Sequence, residues 1–510
     1  MMKKYIIGID SGTTSIKAVV MDIRGNVIHK KDFKLTAICP RQDMYEEDMH
    51  EIWGKACLAL RDVAAHFPKE SIIGIGITAQ GDGMWMIDKD GEPVRNGCCF
   101  CDGRASEFVD EWVKNGVCDQ LFDLTGTRIF TGNQNGIVKW MEKHEPQALE
   151  KTAYILHLKD YLFYKLTGKI TTDATDQSLI FLNQRTRQYE PETFKICGLE
   201  AYMDKYPPVL SAKENAFRID AGLAEKLGLN PEILVTSGPM DVGACALGSG
   251  VIEPGCCCSI IGTAALHEMV IDRPLEDDVH AGMTVAHVME DRWLRLMASL
   301  AGTPNLEWAI NTFGAALKRQ AEEKQVSVYD ITEELVKTSP IGANGVMYHP
   351  YLLAGGERAP FTDSRARASY TNINVTHTLA DILRATYEGV AFAMLDCYSS
   401  MPGKVKQITV CGGGAKSAFW CQMFADVLGT DIITVNGDEL GAKGVVLNNA
   451  VVQGFYADYA QAVEQTVSVR DHFVPDMEKH KRYMELYPLY KEIREALRPT
   501  WETRQKLFYK

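Results

Sequence analysis

No run in this sequence approaches the roughly 18 consecutive apolar residues that a membrane-crossing helix needs, so a helical membrane protein is excluded. A basic stripe is missing as well. The 54 Lys and Arg are scattered among 67 Asp and Glu, for a formal charge of −13. A surface of that sign repels phosphate backbones, so nucleic acid is not an expected partner. There is no low-complexity segment and no long linker. The opening apolar run Ile6–Ile9 is cut at Asp10, too early for a signal peptide, and no small-residue cleavage site follows. Cysteine is modest, at 14. Neighbours such as Cys98-Cys99 and Cys256-Cys257-Cys258 do not form a disulfide framework, because adjacent residues rarely bridge. Cys98 and Cys101 make a CxxC, but no second CxxC or nearby His completes a metal set. Reduced or buried thiols in a cytoplasmic protein are the expectation.

What is present is globular: 46% hydrophobic and 24% charged residues over 510 positions, enough for two domains with their own cores. The chain opens as three antiparallel strands, Tyr5–Asp10, Ser15–Asp22 and Val27–Leu35, separated by Ser-Gly-Thr-Thr and Arg-Gly-Asn turns. Ile52, Ala56, Ala59, Leu60 and Val63 at helical spacing predict a helix over His50–Ala65. Ile72–Thr78 follows as a buried strand. A related plan returns later: Cys258–Ile261, a Gly262-Thr263-Ala264 turn, Leu266–Ile271, then Gln407–Cys411 ending in glycines. Two similar α/β lobes facing each other across a cleft are therefore predicted, with the boundary near Gly248–Gly255. Residues 476–510 read as a closing helix interrupted near Pro488.

Asp10-Ser11-Gly12-Thr13-Thr14 sits at a hairpin tip, where backbone N–H groups and hydroxyls converge on a phosphate and an aspartate can hold Mg²⁺ through water. Gly262-Thr263 supplies a second such tip. Asp241 follows a strand and Gly238-Pro239; it is placed either to take a proton from an attacking hydroxyl or to cap the helix that begins there, and the two roles are compatible. Gln80-Gly81-Asp82-Gly83 offers an amide and a carboxylate suited to a polyhydroxylated ligand, or an ordinary turn. Gly412-Gly413-Gly414-Ala415-Lys416-Ser417 fails the Walker spacing, because Ala415 stands where glycine precedes the lysine. It still permits close approach to adenine or ribose, or makes a tight strand-to-helix turn. Gly74–Ala79 fits a loose dinucleotide pattern but lies inside a strand, and is discarded.

Taken together, the chain resembles the FGGY carbohydrate kinases of the actin-like ATPase superfamily from about Lys4 to Tyr490. The resemblance rests on Ile7–Thr14, Lys159-Asp160-Tyr161-Leu162, Thr172-Asp173, Gly356–Pro360, Ile382–Gly389, and Gly412–Ser417 with Trp420 and Ala425–Gly429. Two departures stand out: Ile137 where the family usually has lysine, three residues before Trp140, and Asn372 where it usually has glycine.

The resemblance implies two actin-like (ribonuclease H-like) lobes: residues 1–247 on the sugar side and 248–510 on the nucleotide side. It implies transfer of the γ-phosphate of ATP to a sugar or polyol hydroxyl. By that match Asp241 is the general base and Asp10 lies near Mg²⁺. Thr13, Thr14, Gly262 and Thr263 line the phosphates, and Lys17 reaches toward one. Gly412, Gly413, Gly414 and Ala415 form the adenosine side. Gln80, Gly81, Asp82 and Asp102 contact the substrate. Glycerol kinases have Arg-Glu where Gly81-Asp82 stand, and D-xylulose kinases Met-His; this chain looks closer to erythritol and L-xylulose kinases. A homodimer is the oligomer to consider. An actin-like ATPase and a sugar-responsive regulator without kinase activity are the alternatives.

Overall fold

A computed structural model describes residues 3–275, 279–353 and 355–508. The opening meander forms as read: β1 (Tyr5–Ser11), β2 (Ser15–Asp22) and β3 (Val27–Lys34) are antiparallel. α1 (Met49–His66) is capped by Asp48, whose carboxylate accepts from the His50 amide at 2.8 Å. Its apolar stripe buries Ile52, Ala56, Leu60 and Val63 against Ile7 and Ile9 of β1. β4 (Ile72–Ala79) then pairs with β1 in parallel. Residues 80–215 make a mostly helical insertion that includes α2 (Leu158–Thr167). β5 (Ala216–Arg218) and β6 (Leu234–Ser237) complete a sheet of order β5-β6-β4-β1-β2-β3. α3 (Asp241–Gly248) leads out of it.

The second sheet repeats the plan. β7 (Cys256–Ile261), β8 (Ala265–Ile271), β9 (Met283–Ala286) and β10 (Trp293–Ser299) are antiparallel neighbours. After α4 (Leu379–Ser399), β11 (Gln407–Gly412) pairs with β7 in parallel. α5 (Ala418–Leu428), β12 (Asp431–Val435), α6 (Leu440–Val452) and β13 (Val469–Phe473) follow, giving the order β9-β10-β8-β7-β11-β12-β13. In each sheet an antiparallel three-strand unit, β1-β2-β3 or β7-β8-β10, is extended by parallel strands from its first member. The repeat therefore lies in topology and not in residue identity.

The helices that end the two units are exchanged between the sheets. α6 lies on the first sheet, where Ala442 and Val446 pack with Ile6, Val19 and Met21. α3 lies on the second, with Ala246 among Cys258, Val270, Leu294 and Leu296. This explains the unbroken run Ile6-Ile7-Gly8-Ile9: β1 is buried on both faces. Gly74 and Gly76, the discarded nucleotide pattern, lie inside β4. A Cβ on Gly76 would come within 2.4 Å of the Val445 carbonyl oxygen, so this glycine admits a helix and not a cofactor.

The closing segment corrects one expectation. α7 (Met477–Phe508) runs through both Pro488 and Pro499 without ending. Proline removes one N–H and crowds the preceding turn, but it does not have to stop a helix that packing holds. Tyr483, Tyr487 and Tyr490 are buried on the second lobe, and the Tyr487 hydroxyl donates to Asp396 at 2.6 Å. Residues 509 and 510 of the expected helix lie outside the described residues. Asn372, in the family's glycine position, has φ 64°, a left-handed conformation that Asn tolerates better than most side chains. Among the described residues no helix is long and apolar enough to cross a membrane.

Candidate active site

Asp241 is the first residue of α3, at the end of a loop tied down from several sides. The Gly238 amide donates to the Ile77 carbonyl at 2.9 Å, continuing the β6–β4 ladder. Buried Lys159 donates to the Gly238 carbonyl at 2.7 Å. Thr78 Oγ1 donates to the Pro239 carbonyl at 2.8 Å, and the Met240 amide donates to Thr175 Oγ1 at 3.0 Å. The Asp241 carboxylate accepts from the Val242 amide at 2.8 Å. Asp241 thus stands inside the helix, with Met240 at the capping position. Burial pushes its carboxyl up to about 7; the charge of Asp10 adds to this, while the Val242 and Gly81 amides oppose it.

The Gly81 amide places the loop after β4 against this carboxylate. Gln80 is fixed by its own amide, which donates to the Ser11 carbonyl at 2.8 Å, and by its side chain, which donates to Glu47 at 2.9 Å. Burial raises the Glu47 carboxyl to about 7. Asp82 has φ 57° and Gly83 φ 70°, a left-handed pair that turns the Asp82 carboxylate inward onto the Asn133 side-chain amide. Burial pushes the Asp82 carboxyl up to about 7, against the opposing pull of His157. Below it lies a buried ionic network: Lys159 is paired with Asp173 and, at 3.0 Å, with Asp176. Asp102 is placed differently from Gln80, Gly81 and Asp82. Its oxygens accept from Arg104 Nε at 2.8 Å, Arg104 Nη2 at 2.9 Å and the Tyr45 amide at 2.7 Å. That carboxylate is committed within the lobe.

The two glycine hairpin tips belong to the two sheets, the first joining β1 to β2 and the second β7 to β8. In the first, the Gly12 amide donates to the Ser15 carbonyl at 3.0 Å; Thr13 is half-buried and Thr14 exposed. In the second, the Gly262 amide donates to the Ala264 carbonyl at 2.9 Å and leaves Thr263 exposed. Asp10 pairs across the hairpin with Lys17, whose Nζ is 3.9 Å from the Asp10 carboxylate and 3.2 Å from Glu439. Lys17 therefore bridges the first hairpin to the residue preceding α6. Gly412, Gly413, Gly414 and Ala415 adjoin the second tip, since Ile261 pairs with Gly412. Gly412 has φ 77°, and a Cβ on Gly414 would meet Ile261 at 2.7 Å. Close packing of β11 on β7 requires bare backbone there.

Sequence reading missed several members of this site. Thr303 donates to the Gly262 carbonyl through its amide at 2.8 Å and its hydroxyl at 3.0 Å, bracing the second tip. Glu47, Asp176 and Glu439 come from separate elements and carry no local motif. Lys159 and Asp173 stand in family-like stretches, but their pairing beneath Asp82 is a tertiary fact.

Comparison with known proteins points one way. Residues 5–248 match the N-terminal domain, and residues 257–452 the C-terminal domain, of the FGGY family of carbohydrate kinases. An erythritol kinase of Brucella abortus is 29% identical, over 98% of this chain and 97% of its own length. The L-xylulose/3-keto-L-gulonate kinase of Escherichia coli is 27% identical, over 97% of this chain and 98% of its own. A ligand-bound xylulose kinase structure from Lactobacillus acidophilus has the same fold, with a TM-score of 0.91 at 24% identity over 98% of this chain and 99% of that one. The chain belongs to the FGGY family of carbohydrate kinases: it is an ATP-dependent phosphotransferase acting on a sugar or polyol alcohol. Membership decides for a kinase over the actin-like ATPase and the regulator.

Proposed function

We propose that this FGGY kinase phosphorylates a pentulose of the xylulose type or a four- to five-carbon polyol, with Asp241 as general base. The observation that carries the reading is a buried carboxyl beside Asp10, raised to about 7, on a loop tethered by Thr78, Lys159 and Thr175. A base of that pKa is deprotonated often enough to accept a hydroxyl proton near neutrality, yet basic enough to hold it. The substrate O–H bond breaks toward Asp241 as oxygen attacks the γ-phosphorus, and ADP leaves on the opposite side. Little covalent chemistry falls to the protein; positioning and charge neutralisation dominate.

Gln80, Gly81 and Asp82 hold the acceptor hydroxyls, and Asn133 and Glu47 set the rotamers of Asp82 and Gln80. Asp102 acts one step back, orienting Arg104. The amides and hydroxyls of Thr13, Thr14, Gly262 and Thr263 grip the phosphates, with Lys17 poised to exchange Glu439 for a phosphate oxygen. Gly412–Ala415 receive the adenosine. Asp10, a buried oxygen donor near the phosphate-binding tips whose charge also bears on Asp241, fits a hard divalent cation. Mg²⁺ there supplies neutralisation of the phosphate charge. Residues 1–247 serve as the sugar lobe and 248–510 as the nucleotide lobe, and 14 free thiols suit the cytoplasm.

The erythritol and L-xylulose names of relatives, and Gly81-Asp82 in place of bulkier pairs, support the substrate class. ADP release measured with Mg-ATP across ketopentoses, erythritol, pentitols and glycerol tests it. Turnover on a xylulose, ribulose or erythritol acceptor is expected; preference for glycerol, or no turnover across the panel, overturns it.

A further inference from the structure

Three thiols from three elements converge between the lobes, apart from the phosphoryl-transfer residues. Cys245 lies on α3, Cys258 on β7 and Cys411 on β11, and their Sγ atoms all fall within 4.8 Å of one another. The Cys258–Cys411 separation is 3.9 Å. A tetrahedral zinc with Zn–S bonds of about 2.3 Å spaces its sulfurs about 3.8 Å apart. Opposite Cys258, in register on β8, stands Glu268. It is fully buried, neither carboxyl oxygen has a partner at hydrogen-bond distance, and its carboxylate faces Cys258 from outside the cluster that the three sulfurs form. Its charge acts on all three thiols. Around them pack Ala246, Val270, Leu294 and Leu296, and the buried Ser249 hydroxyl donates to Cys258 Sγ at 3.8 Å.

A carboxyl held without partners in such a core is costly, and three weak thiol donors do not offset it. We propose that Cys245, Cys258 and Cys411 hold a zinc ion that fastens α3 to the second sheet, with the Glu268 carboxylate turning in from beside Cys258 as the fourth ligand. Three soft sulfurs favour a thiophilic ion, and the fourth, oxygen ligand favours four-coordinate Zn²⁺ over three-coordinate Cu(I). On loading, three S–H bonds and the carboxyl O–H give up their protons to solvent as four metal–ligand bonds form. The site then carries a net charge of −2, as a four-cysteine zinc site does. No electron is transferred. Cys245 lies four residues after Asp241, one turn along the same face of α3, so the ion anchors the helix that presents the proposed base. Its role is structural, and the inference does not depend on which sugar is phosphorylated.

The test uses the full chain, purified under reducing, anaerobic conditions and stripped with a chelator. Metal content after titration with Zn²⁺ and dialysis is expected to reach one ion per chain. Titration with Co²⁺ is expected to produce thiolate-to-cobalt charge-transfer bands and the intense visible bands of a tetrahedral ion. Cys411→Ala and Glu268→Gln should lose the ion on dialysis. Cys257→Ala should keep it, because that thiol belongs to the core on the other face of the sheet. A folded wild-type chain that shows no cobalt–thiolate band and retains no zinc overturns the site, whatever the variants do. So does a Cys258–Cys411 disulfide found by mass spectrometry in protein never exposed to oxidant. Zinc retained undiminished by Glu268→Gln would remove Glu268 as a ligand and overturn the four-ligand assignment.

Discussion

Gly248, at the end of α3, and Gly444, in α6, meet backbone to backbone where the two exchanged helices cross. A Cβ on Gly248 would lie 2.0 Å from the Leu440 carbonyl oxygen and 2.9 Å from the Gly444 nitrogen; one on Gly444 would lie 1.9 Å from the Ala244 carbonyl oxygen. The crossing joins the helix that begins at Asp241 to the one that follows Glu439.

Gly444→Ala should therefore force the helices apart. The expected loss is about 1–3 kcal/mol of stability, typical of overpacking. Chemical denaturation monitored by circular dichroism measures it. An unchanged midpoint would mean that the crossing relaxes without cost.

Buried Asp102 depends on one guanidinium, which it shares with Glu46. Arg104 Nη2 donates to Glu46 at 2.6 Å, and Arg104 also holds Asp102 through two further bonds. Arg104→Met leaves Asp102 buried without a cation, while Glu46 keeps Arg95, and should cost about 3–5 kcal/mol. Thermal unfolding at neutral pH checks this, and a shift of under a degree would show that water replaces the guanidinium.

Thr263→Val keeps the shape of the second hairpin tip but removes its hydroxyl. Loss of a hydrogen bond to a charged phosphate should weaken ATP by about 1.5–3 kcal/mol, roughly 10–100-fold. Isothermal titration should show the sugar affinity unaltered. Equal losses for both ligands would make the hairpin a general structural element.

The pH profile follows from the Asp241 carboxyl, raised to about 7 chiefly by burial and then by Asp10. A base works only when deprotonated. With ATP well below saturation, kcat/KM should rise with pH through about 7 and level off above it. Asp10→Asn removes a charge that raises this pKa, so the rising limb should move to lower pH, along with a loss of rate. A profile already flat from pH 5 would place the titrating group elsewhere. Asp82 also titrates at about 7, so the limb reports the interacting set and not one residue.

The elements legible in the sequence were those with local causes. Turn residues between β-branched strands located both hairpins, and a strand running into Gly238-Pro239 located Asp241. The topological repeat followed from the same turn chemistry. Pairings across long separations were not legible: Glu47 with Gln80, Asn133 with Asp82, Thr303 with Gly262. Each depends on how the insertion of residues 80–215 and the second lobe fold back, which no spacing encodes. Asp102 shows what residue type alone leaves out. Its type suited a sugar ligand, but Arg104, two residues on, claims its oxygens. Pro488 misled because local proline chemistry yields to the aromatic anchors of α7.

The central claim is that Asp241 takes the acceptor proton, and the most direct measurement is single-substrate turnover of Asp241→Asn beside the wild type. With the best acceptor and saturating Mg-ATP, kcat should fall by about 10²–10⁴-fold while nucleotide affinity stays within a factor of about two. Turnover of Asp241→Asn at the wild-type rate would contradict the account.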